Sequence, residues 1–353
     1  MADGRLAVGV VGLGIWGQNH ALAYSDYHRA ELRMVCDLDE ERARSYGERY
    51  GCAWTTDVEE LAASDVEAVS VATPDHTHFA PVSRLLEAGK HVLVEKPLTT
   101  SVDEAARLEA IAAATGRIAM VDFQMRWDPS YMQAKEMVES GELGDVVMGY
   151  IRLSDAIQVA EEWLPWAGRS GPQWFLFPHT VDIMRWLIGS DPVRVHAVGR
   201  KGVLSSRGID CLDCVQAMVE FPGAVVTFET SWIVPNAQPS VIDCYTSLYG
   251  TRGKIEYDAD FAGFESVTGR YSYPWSPVGR RDRYGRLSHR IYEPMRHFVD
   301  AVMAGEETTC PFSDGVVNTA VIATVERSID SGRPESVADV LAAARDRARA
   351  QDP

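Results

Sequence analysis

Long hydrophobic runs are absent from this chain of 353 residues. No apolar stretch approaches the roughly 18 residues that a membrane helix requires, and the N-terminal segment leads into a glycine-rich loop instead of an export signal. A surplus of positive charge is absent too, because 34 lysines and arginines stand against 51 aspartates and glutamates. The net charge of -17 repels nucleic acid and anionic membranes, so we expect neither as a partner and predict a small-molecule site.

Cysteine is scarce, and the six that are present are not spaced like zinc ligands. Cys211 and Cys214 form one close pair, but a four-ligand zinc site needs a second pair or matching histidines, and none follows nearby. We therefore predict no metal. A large chain without an export signal favours reduced thiols and a cytoplasmic location.

The first third of the chain alternates between short apolar runs and helical patterns. Apolar runs cover 6–11, 32–36, 67–72 and 91–94, and the helical segment 101–115 begins with a capping box of Ser101 and Glu104. Such alternation is typical of βαβ units. We therefore predict an α/β Rossmann domain with a doubly wound parallel sheet over residues 1–123.

The pattern changes after residue 123. Strand-like runs then follow one another with short turns, at 193–198, 214–221, 224–232, 241–248 and 254–257. Helices are predicted at 292–303 and 316–330, and the arginine-rich tail after residue 342 is expected to form a solvated helix. We predict an α+β domain with a large, mostly antiparallel sheet over residues 124–353.

A dinucleotide-binding fingerprint follows the first predicted strand. It comprises Gly12, Gly14, Ile15, Trp16 and Gly17. The first glycine permits a tight turn, the second brings the backbone close to the pyrophosphate, and the third allows close packing of helix on strand. Asp37 ends the second strand about 20 residues further on, where a carboxylate binds ribose hydroxyls and repels a 2′-phosphate. NAD is therefore the predicted cofactor, and NADP is disfavoured.

A second segment ends at the same edge of the predicted sheet. Thr73 and Pro74 follow a strand and are expected to line the cofactor, with His78 at the start of the next helix. His76 and His78 are two residues apart and do not share a helix face, so they are not expected to chelate a metal together.

Glu95-Lys96-Pro97 ends a later strand at this edge. Lys96 is conspicuous because the chain has only five lysines among its 34 basic residues. A lysine at a dry site can release and accept a proton, which a guanidinium cannot do, so Lys96 is a candidate acid–base residue.

These motifs, in this order and at these separations, resemble the glucose-fructose oxidoreductase, inositol dehydrogenase and rhizopine-catabolism (Gfo/Idh/MocA) family over nearly the whole chain. The resemblance implies that Lys96 contacts both the nicotinamide ribose and the substrate hydroxyl, and that the Lys96–Pro97 bond is cis. We expect Glu95 and Gln124 to contact NAD as well. The resemblance also implies that an open sheet in the second domain joins subunits into a homodimer or homotetramer.

The second catalytic element of the family is commonly an aspartate followed four residues later by a histidine. His179 occupies the histidine position here, whereas Phe175 replaces the aspartate. A phenylalanine can only offer its ring to an apolar sugar face. Asp182, one helical turn after His179, is expected to orient the imidazole. Arg126 and Trp166 are further candidates for substrate binding, the latter by stacking on sugar C–H groups.

We therefore predict hydride transfer between the nicotinamide and a secondary alcohol of a sugar, glycoside or cyclitol, with Lys96 or His179 taking the hydroxyl proton. Three alternatives stay open. They are a biosynthetic ketosugar reductase, a glycosidase-like enzyme that oxidises and re-reduces bound NAD, and a non-catalytic sensor that binds a dinucleotide. Phe175 favours the sensor, whereas intact Lys96 and His179 argue against it.

Overall fold

The computed structural model describes residues 4–259, 266–267, 271–272, 280–281 and 285–350. Contacts divide the chain into two compact units, the first made of 1–124, 278–316 and 344–353, and the second of 125–277 and 317–343. The predicted division at residue 123 into a cofactor domain and a substrate domain concerns function and stays a prediction. By contacts alone, two later segments join the first unit. Half of the aromatic and arginine-rich segment 271–290 lies outside the described residues, at 273–279 and 282–284.

The first 122 residues alternate strictly between strands and helices. In chain order these elements are β1 (Leu6–Val11), α1 (Gly17–Asp26), β2 (Ala30–Cys36), α2 (Glu40–Tyr50), β3 (Ala53–Thr55), α3 (Val58–Ala63), β4 (Ala68–Val71), α4 (Phe79–Glu87), β5 (His91–Glu95), α5 (Val102–Thr115) and β6 (Ala119–Asp122). The strands pair in parallel in the order β3-β2-β1-β4-β5-β6. The order reverses between β1 and β4, as in doubly wound dinucleotide-binding sheets, so the predicted Rossmann fold is confirmed.

Burial explains why these strands read as continuous apolar runs. Every residue of β1 and of β4 is buried, as expected for a parallel sheet with helices on both faces. The Ser101 side chain accepts from the Glu104 N–H, which confirms the serine cap, but the Ser101 N–H donates to Thr99 Oγ1 and not to Glu104 as a full capping box requires. Gly116 ends α5 in a left-handed conformation. Strand β3 was not predicted, because it has only three residues and two of them are exposed.

The remaining elements follow in chain order. They are α6 (Pro129–Glu139), β7 (Val146–Asp155), α7 (Pro172–Phe175), α8 (Phe177–Ile188), β8 (Arg194–Arg200), β9 (Cys214–Phe221), β10 (Ala224–Ser231), β11 (Ile242–Gly250), β12 (Lys254–Asp258), β13 (Ser266–Val267), β14 (Tyr271–Ser272), β15 (Arg280–Arg281), β16 (Leu287–Ser288), α9 (Glu293–Ala304), α10 (Phe312–Ser331), β17 (Glu335–Ser336) and α11 (Val337–Ala350). A seven-stranded sheet has the order β12-β11-β7-β10-β9-β8-β17. Of its neighbouring pairs, β7 and β10 are parallel and the others antiparallel, which confirms the predicted mostly antiparallel sheet.

This second sheet buries one face and exposes the other. Along β9, Val215, Ala217 and Val219 are buried, whereas Gln216 and Met218 between them are exposed. Such alternation is typical of an antiparallel sheet with helices on one side. Helix α8 covers the buried face, where it contacts β7 and β10.

The C-terminal helix α11 is not simply solvated. Ala344 is fully buried, and Arg345 and Arg347 contact Glu109 and Asp103. The expectation of a solvated tail is therefore wrong for the side of α11 that carries Ala344, while residues such as Asp346 and Arg349 on its other side are exposed as expected. None of the helices described is long and apolar enough to cross a membrane.

Candidate cofactor and substrate sites

The glycine loop between β1 and α1 has space for side chains at only one of its three glycines. Gly12 has a φ of 84°, and a Cβ there would lie 2.7 Å from the Ala72 carbonyl oxygen. A Cβ on Gly17 would lie 1.7 Å from the Gly12 carbonyl oxygen. At Gly14, in contrast, a Cβ would enter open space. The backbone at Gly14 is therefore open to a ligand, as the fingerprint requires for the pyrophosphate.

Helix α1 begins at Gly17 without a side chain to cap it. Within the described chain, neither a side-chain hydrogen bond nor a first-turn carboxylate occupies its N-terminus. The N–H groups of Gln18 and Asn19 donate to the carbonyl oxygens of Gly14 and Trp16, so the helix dipole, with no carboxylate opposing it, is what favours a phosphate at this end of α1. Trp16 stands at the cap position, and Ile15 is 37% exposed. Both belong to the predicted fingerprint and lie on this loop.

Asp37 lies directly beyond the C-terminal end of β2, beside the glycine loop. Its Oδ2 accepts from the Leu13 N–H at 2.7 Å, and its Oδ1 accepts from the Asp39 N–H at 2.9 Å. Nη1 of Arg42 lies 3.2 Å from Oδ1. These bonds hold a nearly buried carboxylate where the NAD ribose is expected to bind.

The loop after β4 is tied to the loop after β5 by one histidine. His78 is buried, and its Nε2 and Nδ1 lie 2.8 Å from the carbonyl oxygens of Thr73 and Pro97. Thr73 Oγ1 is shielded from solvent and has no hydrogen-bond partner among the described residues. A buried hydroxyl of this kind is available to a bound cofactor. Pro74 follows it and precedes a short 3-10 helix, Asp75–Thr77.

The segment Glu95-Lys96-Pro97 is buried at the end of β5. Glu95 and Lys96 are 4% and 3% exposed, and the Lys96–Pro97 bond is cis, as expected. The Lys96 N–H donates to Glu95 Oε2 at 3.2 Å. Glu95 Oε1 lies 3.1 Å from Nε2 of His20, and the same nitrogen lies 3.5 Å from Oδ2 of Asp122.

Asp122 is a site residue that sequence reasoning missed. Burial, and next the charge of Glu95, raise the pKa of Asp122 well above its usual range, while the positive charge of Lys96 acts in the opposite sense. The available signal was its position at the end of the short apolar run of β6, as Glu95 ends β5; that the two residues are register partners is seen only in the structure. Gln124 follows as a buried residue at the start of a 3-10 helix, Gln124–Trp127.

These features fit NAD. The open backbone at Gly14, the uncapped start of α1, the anchored Asp37 carboxylate and the unsatisfied Thr73 hydroxyl all follow strands at the carboxyl edge of the parallel sheet. Ligands of open α/β sheets bind at this edge.

In the second unit, Arg126 and Asp182 form a buried ion pair. Arg126 Nε donates to Oδ2 of Asp182 at 2.9 Å, and Nη2 donates to Oδ1 at 2.5 Å. The side chains are 6% and 1% exposed. The sequence suggested substrate contacts for Arg126 and an orienting role toward His179 for Asp182, but it did not suggest that the two residues bind each other.

Phe175 lies in a cluster of three aromatic rings. Its ring centroid is 6.0 Å from that of Trp166 and 5.6 Å from that of Trp232, and Trp232 is fully buried. Phe175 and His179 are half-buried, whereas residues 176–178 and 180 are buried. The two positions of the family motif thus reach the surface of a segment that is otherwise packed inside.

The other tryptophans near this segment have different surroundings. Trp174 is buried and donates from Nε1 to Glu326 Oε1 at 2.7 Å. Trp163 is 40% exposed. Neither has a ring contact recorded with Phe175, so proximity in sequence did not indicate which tryptophans share its surroundings.

Comparison with known proteins agrees with the geometry. Residues 6–123 match the model of the oxidoreductase family with an NAD-binding Rossmann fold, and residues 131–256 match the GFO/IDH/MocA C-terminal domain. Inositol 2-dehydrogenase of Rubrobacter xylanophilus is 30% identical over 349 residues, which cover 94% of this chain and 93% of that protein. Inositol 2-dehydrogenase/D-chiro-inositol 3-dehydrogenase of Shouchella clausii is 32% identical with the same coverage.

One solved structure extends the comparison to a cofactor complex. GenD2 from gentamicin A biosynthesis, in complex with NAD, is 28% identical and superposes with a TM-score of 0.84 over 95% of this chain and 97% of that chain. The two domain models and the near-complete relatives agree with the motifs and with the fold. The chain therefore belongs to the Gfo/Idh/MocA family and is an NAD-binding oxidoreductase.

Proposed function

We propose that this protein is an NAD-dependent dehydrogenase that converts a secondary alcohol of a cyclitol or related sugar into a ketone, and the reverse. The observation that carries the proposal is a buried lysine, Lys96, at the ligand edge of a sheet with a complete dinucleotide fingerprint. Similarity to two inositol dehydrogenases over 94% of the chain supports the substrate class.

NAD, when bound, accepts the hydride that leaves the alcohol carbon. The residues of this chain position the substrate, exclude water from the site and accept the proton of the hydroxyl. Lys96 Nζ orients the substrate hydroxyl, and either Lys96 or His179 takes its proton as the carbonyl forms. In the reducing direction the same group returns the proton to the alkoxide oxygen.

The predicted site residues are divided between cofactor and substrate. We assign to NAD the residues Gly12, Gly14, Ile15, Trp16, Gly17, Asp37, Thr73, Pro74, His78, Glu95, Lys96 and Gln124. For His78 this contact is made through the two loops that its ring connects, because both ring nitrogens face backbone carbonyl oxygens. We assign to the substrate the residues Lys96, Arg126, Trp166, Phe175, His179 and Asp182. Arg126 and Asp182 serve this role as a pair that supports the His179 helix.

Phe175 indicates which substrates suit the site. An aspartate at this position would accept a hydrogen bond from a substrate hydroxyl, whereas the Phe175 ring, packed against Trp166 and Trp232, provides an apolar surface. We therefore propose that the substrate presents C–H groups at this position, as a sugar or cyclitol ring does on a face without hydroxyls.

NADH formation by the purified protein tests the proposal. NAD is supplied with a panel of cyclitols, free hexoses and glycosides, and wild type is compared with the variants K96A, K96R and H179N. Turnover by wild type and its loss in K96A, with NAD binding retained in calorimetry, is the expected result. K96R is the matched control, because it keeps the charge and cannot release the proton. Unchanged turnover in K96A would exclude the assignment.

A ketosugar reductase is a second candidate. It is favoured by the similarity to GenD2, a protein from a biosynthetic pathway. Consumption of NADH with ketosugars, in the absence of NAD reduction by any alcohol of the panel, would select this candidate.

We also propose that the protein is a homodimer or homotetramer assembled through the exposed face of its seven-stranded sheet. Met148, Val198 and Met218 support this proposal, since all three are large apolar residues that are 47%, 47% and 48% exposed. Sedimentation of wild type and of M218E tests it, and a monomeric wild type would contradict it. Six free cysteines support a reducing compartment such as the cytoplasm.

A further inference from the structure

Three buried ionisable side chains lie close together beside Lys96, and only one of them, Glu95, is among the residues that we assign to NAD. His20 on α1, Glu95 on β5 and Asp122 on β6 are 0%, 4% and 2% exposed. One nitrogen, Nε2 of His20, lies within 3.5 Å of both carboxyl groups. We refer to these three residues as the acid–histidine cluster.

The fold itself brings the cluster together. Glu95 and Asp122 are paired in register on neighbouring parallel strands, so their side chains lie on the same face of the sheet. His20 lies three residues after Gly17, in the first turn of α1, which begins at the glycine loop. The cluster is therefore attached to the helix that is expected to bind the NAD phosphates and to the strand that carries Lys96.

The cluster cannot hold two ionised carboxylates at low cost. The interacting oxygen and nitrogen atoms of all three side chains lie within 4.8 Å of one another in a dry interior. Two carboxylates at such a separation share a proton, as in other buried carboxyl pairs. Burial and the charge of Glu95 raise the pKa of Asp122, in agreement with a proton held there. One Nε2–H of His20 can donate to only one of the two carboxyl groups at a time.

The cluster reaches Lys96 in two ways. Through the backbone, Glu95 Oε2 accepts from the Lys96 N–H, while Oε1 is held by His20. Through space, the charge of Lys96 acts on Asp122. By reciprocity, ionisation of Asp122 acts on the Lys96 ammonium.

We propose that Asp122 is a positioning residue for the dehydrogenase reaction, because with His20 and Glu95 it forms a proton-sharing cluster that fixes the Lys96 segment and supplies the negative charge that governs proton exchange at Lys96. The inference rests on the proposed function for its catalytic consequence. Its effect on the protonation of Lys96 is independent of any substrate.

Other ionisable groups around the cluster are engaged elsewhere in the described chain. Tyr24, one turn along α1, bonds to Ser70 Oγ at 2.6 Å; burial and, to a smaller extent, the charge of Asp122 raise its pKa, so it remains a neutral neighbour of the cluster. Helix α9 contacts α1 and β5. The ionisable groups of α9 bond to other partners: Glu293 to Arg296, His297 to Thr309, and Asp300 to Tyr27 and Arg29. Glu95 and Lys96 are thus the charges that act on Asp122.

The test compares D122N with Y24F. Y24F is the matched control, because it removes a buried hydrogen bond of a neutral neighbour on the same helix and leaves all three side chains of the cluster in place. The titration of the Lys96 side chain is followed by NMR, with its signal identified by its absence from K96R among only five lysines. We expect D122N to lower the titration midpoint of Lys96 by about one pH unit, because the amide cannot ionise and the negative charge that Asp122 acquires at alkaline pH is lost. We expect Y24F to leave the midpoint unchanged and D122E to restore it.

Kinetics provide the second readout. In D122N the pH at which kcat is half-maximal should move with the NMR midpoint, while KM for NAD stays within about two-fold of wild type. Equal midpoints in D122N and Y24F would overturn the inference and make the cluster purely structural. A stoichiometric metal ion in wild type that is lost in D122N would overturn it as well. If wild type turns over no substrate, the proposed function fails while the NMR titration still decides this inference.

Discussion

The two elements that the family uses for catalysis differ in how far this chain keeps them. Glu95-Lys96-Pro97 is intact, buried and joined to a cluster of ionisable groups. The segment Phe175 to His179 keeps the histidine and replaces the carboxylate by a ring in an aromatic cluster. The side proposed to handle the proton next to the cofactor is thus retained, whereas the side proposed to recognise the substrate is altered. We therefore expect this protein to differ from other members of the family in the substrate that it recognises and not in how the proton is transferred.

Removal of Lys96 has the largest expected effect. Loss of a positioned acid–base group lowers rates by about 10²–10⁴-fold, so we expect K96A to reduce kcat by about 10³-fold. NAD should still bind in calorimetry, with an affinity lowered far less than kcat, because Lys96 is one of many residues assigned to the cofactor. If H179N lost more activity than K96A, the roles of the two elements would be reversed. His179, and not Lys96, would then be the residue that takes the proton.

The Arg126–Asp182 ion pair should make a large contribution to the stability of the region around α8, the helix that carries His179. Breaking one partner of a buried ion pair leaves an uncompensated charge, so we expect R126M to lower the free energy of unfolding by about 3–5 kcal/mol. The double variant R126M/D182L should recover most of this loss. R194M is the surface control, because the Arg194–Glu220 pair is exposed, and it should cost less than about 1 kcal/mol. Equal losses in R126M and R194M, measured by denaturant unfolding, would contradict the buried pair.

Phe175 is the direct test of the altered substrate side. F175D restores the family carboxylate but places a charge between Trp166 and Trp232. We expect kcat/KM for the best substrate of wild type to fall by about ten-fold, and the preference to move toward substrates with a hydroxyl at that position. F175L keeps an apolar side chain and should lose less. An increase in kcat/KM for every substrate in F175D would mean that the ring has no recognition role.

The smallest expected effect is the pH dependence contributed by Asp122. Its pKa is raised in the folded protein, so the folded state binds this proton more tightly than the unfolded state does. Its contribution to stability is therefore fully present below the unfolded pKa and is lost as pH rises through the folded pKa. Thermal unfolding should show wild type losing its advantage over D122N from acidic to alkaline pH. A pH-independent difference in melting temperature would contradict a protonated Asp122.

The fold was predictable because its signals are local. Glycine spacing, apolar runs and the serine cap of α5 lie within short windows, and burial of β1 on both faces produces an unbroken apolar run. Strand β3 was missed because three residues, two of them exposed, contain no periodicity.

The candidate site was predictable only in part. The glycine loop and Lys96 were found from motifs, whereas the contacts of His20 with Asp122, of Arg126 with Asp182 and of Trp232 with Phe175 join residues far apart in sequence. Pairing of strands and helices determines such contacts, and a single sequence contains no local pattern for them. Tail residues Arg345 and Arg347 illustrate the same limit, since their partners Glu109 and Asp103 lie on α5.

Transfer of deuterium tests the central claim most directly. A cyclitol or sugar that supports NADH formation is labelled with deuterium at the carbon that bears the oxidised hydroxyl, and the NADH produced is examined by mass spectrometry. The account predicts one deuterium per NADH with wild type and no labelled NADH above background with K96A. Unlabelled NADH from wild type would contradict it. So would the absence both of NADH formation with any alcohol and of NADH consumption with any ketosugar while NAD binds.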